Sequence, residues 1–171
     1  KWMVKNLQSE ARKRGIDPSR LIFAERIAHE QYLAQFKQAD LYLDTFNYNA
    51  GTTASDVLMA GLPIVTKMGD TYASRMAASL LNAAGMRELI TKTAQEYEDL
   101  ALELALNSSK LRKLRERLQK KLKTAPILNA ELYTRNLEAG YQQAYENYYY
   151  LNSAQNIDVI PSQSSEYTGV S

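Results

Sequence analysis

Short apolar runs at 2–4, 21–23, 41–43, 62–66 and 89–90 punctuate the first half of the chain, each bounded by polar or turn-forming residues. Such a run fits a strand covered on both faces. Between the runs lie segments of helical period: 7–14, followed by Gly15; 29–38, with Tyr32, Leu33 and Phe36 on one face; 52–60, closed by Gly61; and 73–84, ended by Gly85. Glycine is the common residue just past a helix end. Pro18 makes a turn of 16–19, and Gly69-Asp70 makes another. Strands alternating with helices of about ten residues point to right-handed crossovers and a parallel sheet. The expected fold is therefore α/β, with a doubly wound parallel sheet.

From Thr93 onward the pattern is helical alone. Segment 94–107 puts Tyr97, Leu100, Ala101 and Leu104 on one face, and 110–123 does the same with Leu111, Leu114, Leu118 and Leu122, with Ser108-Ser109 as its expected cap. The cations on the other faces of 110–123 read as a solvated surface rather than a nucleic-acid contact. Pro126 ends the run. A last helix is expected over 131–149, where Tyr133, Leu137, Tyr141, Tyr145 and Tyr148 recur at steps of three or four. This stripe is expected to pack on the sheet rather than to stack bases. Residues 151–171 turn to Ser, Gln, Asn and Gly and read as a disordered polar tail, leaving 1–150 as the folded domain.

Composition adds exclusions. A chain of 171 residues suits one domain, and 45% hydrophobic with 23% charged residues is the make-up of an ordinary globular protein. The net charge of +2 gives no global attraction to nucleic acid or membrane, so any partner must be recognised locally. No apolar run approaches the roughly 20 residues that span a bilayer, and the first residues lack a signal-peptide core. With no cysteine there is no disulfide, which fits a reducing compartment, and a cytoplasmic location is expected. The abrupt apolar start at Lys1-Trp2-Met3-Val4 suggests a piece of a longer polypeptide.

The strongest chemical signal is Gly51-Thr52-Thr53-Ala54-Ser55-Asp56, which follows a strand and opens a helix. The first N–H groups of a helix lack internal partners and its dipole makes that end positive, so a diphosphate suits it. Ligands in open α/β sheets sit beyond the carboxyl ends of the strands. The competing reading is a capping box in which Thr53 and Asp56 merely start the helix. Arg75, in the turn after the next strand, could meet a phosphate or form a surface ion pair. His29, the only histidine, and Tyr32 one turn later could face a base or simply pack. Glycine-rich nucleotide loops, zinc-ligand sets, serine triads and closely spaced carboxylates for a divalent ion are all missing from the sequence.

The stretch LYLDTFNYNAGTTASDVLMAGLPIVTKMGDTYASRMAASLL, with RLIFAE before it and QEYEDLALEL after it, resembles the O-linked N-acetylglucosamine transferase family. These are tetratricopeptide-linked glycosyltransferases of GT-B architecture that include the plant SPINDLY-type fucosyltransferases. The resemblance covers roughly 1–149 and implies the carboxyl-terminal, Rossmann-like half that binds a nucleotide-sugar donor. It implies diphosphate contacts at Thr52 and Thr53, a ribose contact at Asp56 and a uracil cradle from Ile27 to Tyr32. It further implies an inverting, metal-independent transfer to protein Ser/Thr hydroxyls, without a cofactor, from UDP-N-acetylglucosamine or from GDP-fucose. Three positions depart from the animal enzymes: Gly51 stands for a histidine, His29 for a uracil-contacting lysine, and Tyr32 for a base-stacking histidine. The amino-terminal Rossmann half, the tetratricopeptide repeats and a phosphate-binding lysine of that family lie outside this sequence, so the piece alone is expected to turn over nothing. The alternative is a GT-B-like module that has lost donor binding and docks a partner through its basic and tyrosine-rich helices.

Overall fold

A computed structural model describes residues 2–151 and 154–159. The chain divides into two compact units, Lys1–Tyr32 and Leu33–Ser171.

The first unit holds helix α1, Trp2–Lys13, a short 3-10 turn at Pro18–Arg20 capped by the Asp17 side chain, and the start of α2, His29–Gln35. Two expectations fail here. Residues 2–4 are not a strand but the first turn of α1: Val4, Gln8 and Ala11 are its less exposed positions, at helical spacing, and the segment is rich in helix formers. Residues 21–23 are not a buried strand either. Ile22 is 90% exposed, and among the described residues of this unit no other strand exists to receive its backbone hydrogen bonds.

The second unit carries a three-stranded parallel sheet ordered β1-β2-β3, with β1 at Tyr42–Leu43, β2 at Ile64–Lys67 and β3 at Ile90–Thr91. Tyr42 pairs with Ile64 and Thr66 with Ile90. Helix α3, Thr52–Met59, crosses from β1 to β2, and α4, Met76–Ala83, from β2 to β3. The expected α/β fold is present, with three strands among the described residues rather than five. Ile64, Val65 and Thr66 are all fully buried, and since successive side chains point to opposite faces, β2 is covered on both. α3, α4 and α5, Ala94–Leu106, supply that cover.

Both crossover helices stop as their glycines require. Gly61 and Gly85 have φ of 76° and 70°, and in each case the next residue's N–H returns to the helix, Leu62 to the Val57 carbonyl at 3.1 Å and Met86 to the Leu81 carbonyl at 2.8 Å. Helix α5 begins with a complete capping box between Thr93 and Glu96. Helix α6, Ser108–Leu122, is capped by the Asn107 side chain rather than by Ser108 or Ser109. Its leucines at 111, 114, 118 and 122 are buried in the core, as their spacing predicts.

The tyrosine stripe behaves differently. Helix α7, Ala130–Leu151, leaves Tyr133, Tyr141, Tyr145 and Tyr148 between 57% and 72% exposed, and its nearest neighbour is the preceding turn at Pro126–Leu128. The sheet cannot receive these rings because α3, α4 and α5 already pack on β2. The expected tail at 151–171 lies mostly outside the described residues; 154–159 have no regular secondary structure.

Candidate functional site

All three strands run the same way, so the loops at 44–51 and 68–75 and the Lys92-Thr93 link leave from one edge of the sheet. The first loop is built on a buried carboxylate. Asp44 is 4% exposed; its Oδ1 accepts from the Thr45 N–H at 2.9 Å and the Ala50 N–H at 2.8 Å, and its Oδ2 accepts from the Thr66 hydroxyl at 2.7 Å. Thr91 donates from its own hydroxyl to the Thr66 carbonyl at 3.0 Å. A polar relay thus runs from β3 through β2 to the loop that delivers α3. A buried charge is tolerated only with such partners.

Within the loop, Thr45 donates to the Tyr48 carbonyl at 2.5 Å and the Asn49 amide donates to the Thr45 carbonyl at 2.6 Å. The Asn49 backbone N–H reaches across to the Ala73 carbonyl at 2.9 Å, so the first loop is tied to the second. Asn49 Oδ1 is buried with no hydrogen-bond partner among the described residues.

The second loop closes through Ser74, whose hydroxyl donates to the Thr71 carbonyl at 3.1 Å and accepts from the Thr71 N–H at 3.1 Å. Gly69 is needed here for space, since a Cβ would lie 2.5 Å from Ser74 Oγ and 2.8 Å from its Cβ.

Aromatic residues brace the same edge. The Tyr97 hydroxyl donates to the Asp44 carbonyl at 3.0 Å, its ring meets Phe46 edge-on at 4.9 Å, and Lys67 Nζ lies 5.2 Å from the Phe46 centroid. Burial foremost, then the charges of Asp44 and Tyr42, push the Tyr97 phenol up from 10.0 to about 12. The protonated phenol is favoured in the folded state, so its stabilisation is fully present below pH 10.0 and is lost as the pH rises toward about 12. Tyr97→Phe is expected to flatten the alkaline limb of a stability profile over that window, measured by urea unfolding; an unaltered limb would remove this role.

Gly51 is the N-cap of α3 with φ −96°, and a Cβ there would make only ordinary contact with Met76 Cγ at 3.7 Å, so space permits a side chain at this position. Thr52 is exposed, and Thr53 and Asp56 are half-buried on the same turn of the helix. Because Gly51 is the cap, Thr53 lies inside the helix and the capping box considered for Thr53 and Asp56 does not form. The helix satisfies its backbone donors internally from Ser55 onward, where the N–H reaches the Gly51 carbonyl at 3.2 Å.

Arg75 is exposed at the N-cap of α4 and forms no ion pair among the described residues, which removes the surface-pair reading. Ile27, His29 and Tyr32 belong to the first unit and the other candidates to the second. Within α2 the His29 and Tyr32 rings stack with centroids 6.3 Å apart and planes at 26°. Sequence reading passed over Asp44, Asn49, Thr66 and Tyr97. The available signal was the density of Asp and Asn directly after a strand, typical of turns built on side-chain acceptors.

A parallel sheet with helices on both faces and a helix start held at its carboxyl edge defines a Rossmann-like α/β domain. The chain belongs to glycosyl transferase family 41, whose family model matches residues 3–137. It is 34% identical over 136 residues to a UDP-N-acetylglucosamine–peptide N-acetylglucosaminyltransferase of Caenorhabditis elegans, covering 80% of this chain and 12% of that protein. It is 35% identical over 120 residues to the SPINDLY protein of Hordeum vulgare, covering 70% of this chain and 13% of that protein. A solved structure of a mutant Thermobaculum terrenum O-GlcNAc transferase superposes with a TM-score of 0.76 at 33% identity, covering 82% of this chain and 27% of that one. The chain thus spans a small part of each. Among the described residues no helix is long and apolar enough to cross a membrane.

Proposed function

We propose that this chain is the donor-binding part of an inverting, metal-independent and cytoplasmic glycosyltransferase that transfers N-acetylglucosamine from UDP-N-acetylglucosamine to serine or threonine hydroxyls of an acceptor protein. The observation that carries the reading is the start of α3 held at the carboxyl edge by the buried Asp44 carboxylate. The names of the similar proteins supply the sugar and the peptide acceptor. In this reading Thr52, Thr53 and the Gly51 N–H meet the diphosphate, where negative charge grows as the bond to the sugar breaks, and the helix dipole adds to their effect. Asp56 accepts from the ribose hydroxyls. Arg75, exposed at the N-cap of α4, is the further candidate for a phosphate in this reading. The remainder of the cleft, an amino-terminal Rossmann half with tetratricopeptide repeats, belongs to the same longer polypeptide in this reading.

The test is Thr53→Ala in that longer polypeptide. Losing one charge-assisted hydrogen bond of roughly 1.5–3 kcal/mol lowers kcat/KM for the donor about 10- to 100-fold, mostly in kcat if the contact tightens in the transition state. Unchanged donor kinetics would overturn the site. Titrating the chain with UDP and with GDP separates the two bases, and binding of neither at millimolar nucleotide would favour a non-catalytic docking module.

A further inference from the structure

Beside α4, on the side of the sheet where β3 is the edge strand, a groove of about 610 Å³ runs between the second loop and β3. Its size is that of a ligand-binding cleft, roughly 300–1,000 Å³. Arg75, Arg87 and Lys92 line it together with Met68, Tyr72 and Ile90, and no carboxylate does. None of Gly51, Thr52, Thr53 and Asp56 contributes to it.

Two other grooves lined by cations also carry carboxylates, Asp40 and Glu116 in one and Glu88 in the other, whereas this one carries none. Elsewhere Lys13 and Arg14 pair with Glu10, Lys110 with Glu103, Arg115 with Asp40, Arg117 with Glu88, and Arg135 with Glu131. Among the described residues none of the groove's three cations has such a partner. Arg87 is instead oriented by a neutral group, its Nε donating to Asn82 Oδ1 at 2.5 Å. Glu96, whose carboxylate senses the Lys92 charge, is engaged by the Lys92 and Thr93 backbone N–H groups at 2.7 and 3.2 Å as part of the α5 cap. Tyr72 stands 74% exposed at the groove, a large ring without cover.

We propose that this groove docks an acidic peptide segment in which carboxylates alternate with apolar side chains. The cations come from three separate places, the end of the second loop, the turn at Arg87–Leu89 and the residue after β3. A small anion needs donors gathered on one point, whereas a peptide matches charges spaced along an apolar floor. Arginine suits carboxylates through its planar fork, and Tyr72 with Met68 offers apolar area to the intervening side chains. The carboxylate excess of such a segment supplies the countercharge that the groove lacks; a nucleic-acid backbone has the same sign, but its phosphates leave the apolar floor of Met68, Tyr72 and Ile90 unmatched and the net charge of +2 gives it no global attraction, so the peptide is the occupant.

The experiment measures fluorescence anisotropy of a short labelled peptide of alternating glutamate and leucine against the full 171-residue chain, without nucleotide. Its failure is therefore separate from any failure of the donor site. The glutamine-leucine counterpart binds about tenfold more weakly, and Arg87→Glu with Lys92→Glu lowers affinity for the acidic peptide by about tenfold or more, the sum of two lost attractions and two new repulsions. Arg87→Lys with Lys92→Arg retains binding, which separates charge from fold. Raising salt from about 0.15 M to about 1 M weakens the acidic peptide selectively, as screening requires. Equal affinity for both peptides, an unaltered Kd in the charge-reversed variant, or displacement by a thymidine oligonucleotide at lower concentration than by unlabelled peptide would overturn the proposal.

Discussion

Asp44→Ala is expected to lower the free energy of unfolding by about 3–5 kcal/mol, because it leaves two backbone N–H groups and a hydroxyl without their buried charged acceptor. The loss falls on the tie between β2 and the loop that carries α3, so under the proposed function donor binding weakens even at temperatures where the variant remains folded. Asp44→Asn separates the two effects. Its amide oxygen can still face the Thr45 and Ala50 N–H groups while its amide nitrogen donates to the Thr66 hydroxyl, which can rotate to accept. A smaller cost, about half that of alanine, is expected because the bonds remain but are no longer charge-assisted. Urea unfolding of the three proteins gives the comparison. If alanine and wild type unfold at the same midpoint, the carboxylate does not organise the edge.

The second large effect is expected at Leu118, which is fully buried on α6. Leu118→Ala removes apolar contact and leaves a cavity in the cluster that also holds Leu58, Leu62 and Leu114, at a cost of about 2–5 kcal/mol. Lys113→Gln and Lys120→Gln, exposed on the same helix, should each change stability by less than about 0.5 kcal/mol. The contrast tests whether α6 is a core helix with a solvated basic face. A mild Leu118→Ala with costly lysine variants would reverse that assignment.

Legibility from sequence followed the range over which the physics acts. Helices α3 to α6 were readable because leucine and alanine spacing, Gly61, Gly85 and the strand-ending turns are local signals. The extent of α1 was not, since the apolar run at 2–4 is too short to separate helix from strand by period, and helix-forming neighbours decide it. Residues 21–23 show the same weakness: an apolar run becomes a strand only when another strand accepts its backbone bonds. The tyrosines of α7 have a clear stripe, but a stripe does not say whether a surface remains to receive it. At the candidate site, Gly51, Thr52, Thr53 and Asp56 stood out through the strand-to-helix turn, and the family resemblance named the same residues. The network that holds them did not stand out.

The sequence by itself determined the alternation of strands and helices from β1 to α5, the ends of the crossover helices at Gly61 and Gly85, the buried leucine face of α6 and the family. Each rests on residues within a few positions of one another or on a match that spans residues 3–137. Only the tertiary structure decided that Asp44 would be a buried acceptor for Ala50 and Thr66, that Asn49 would bridge to Ala73, and that Tyr97 would close over Asp44 from another helix. A polar side chain carries no mark of the partner it will meet from a distant part of the chain; burial creates the demand for that partner, and packing determines which residue supplies it.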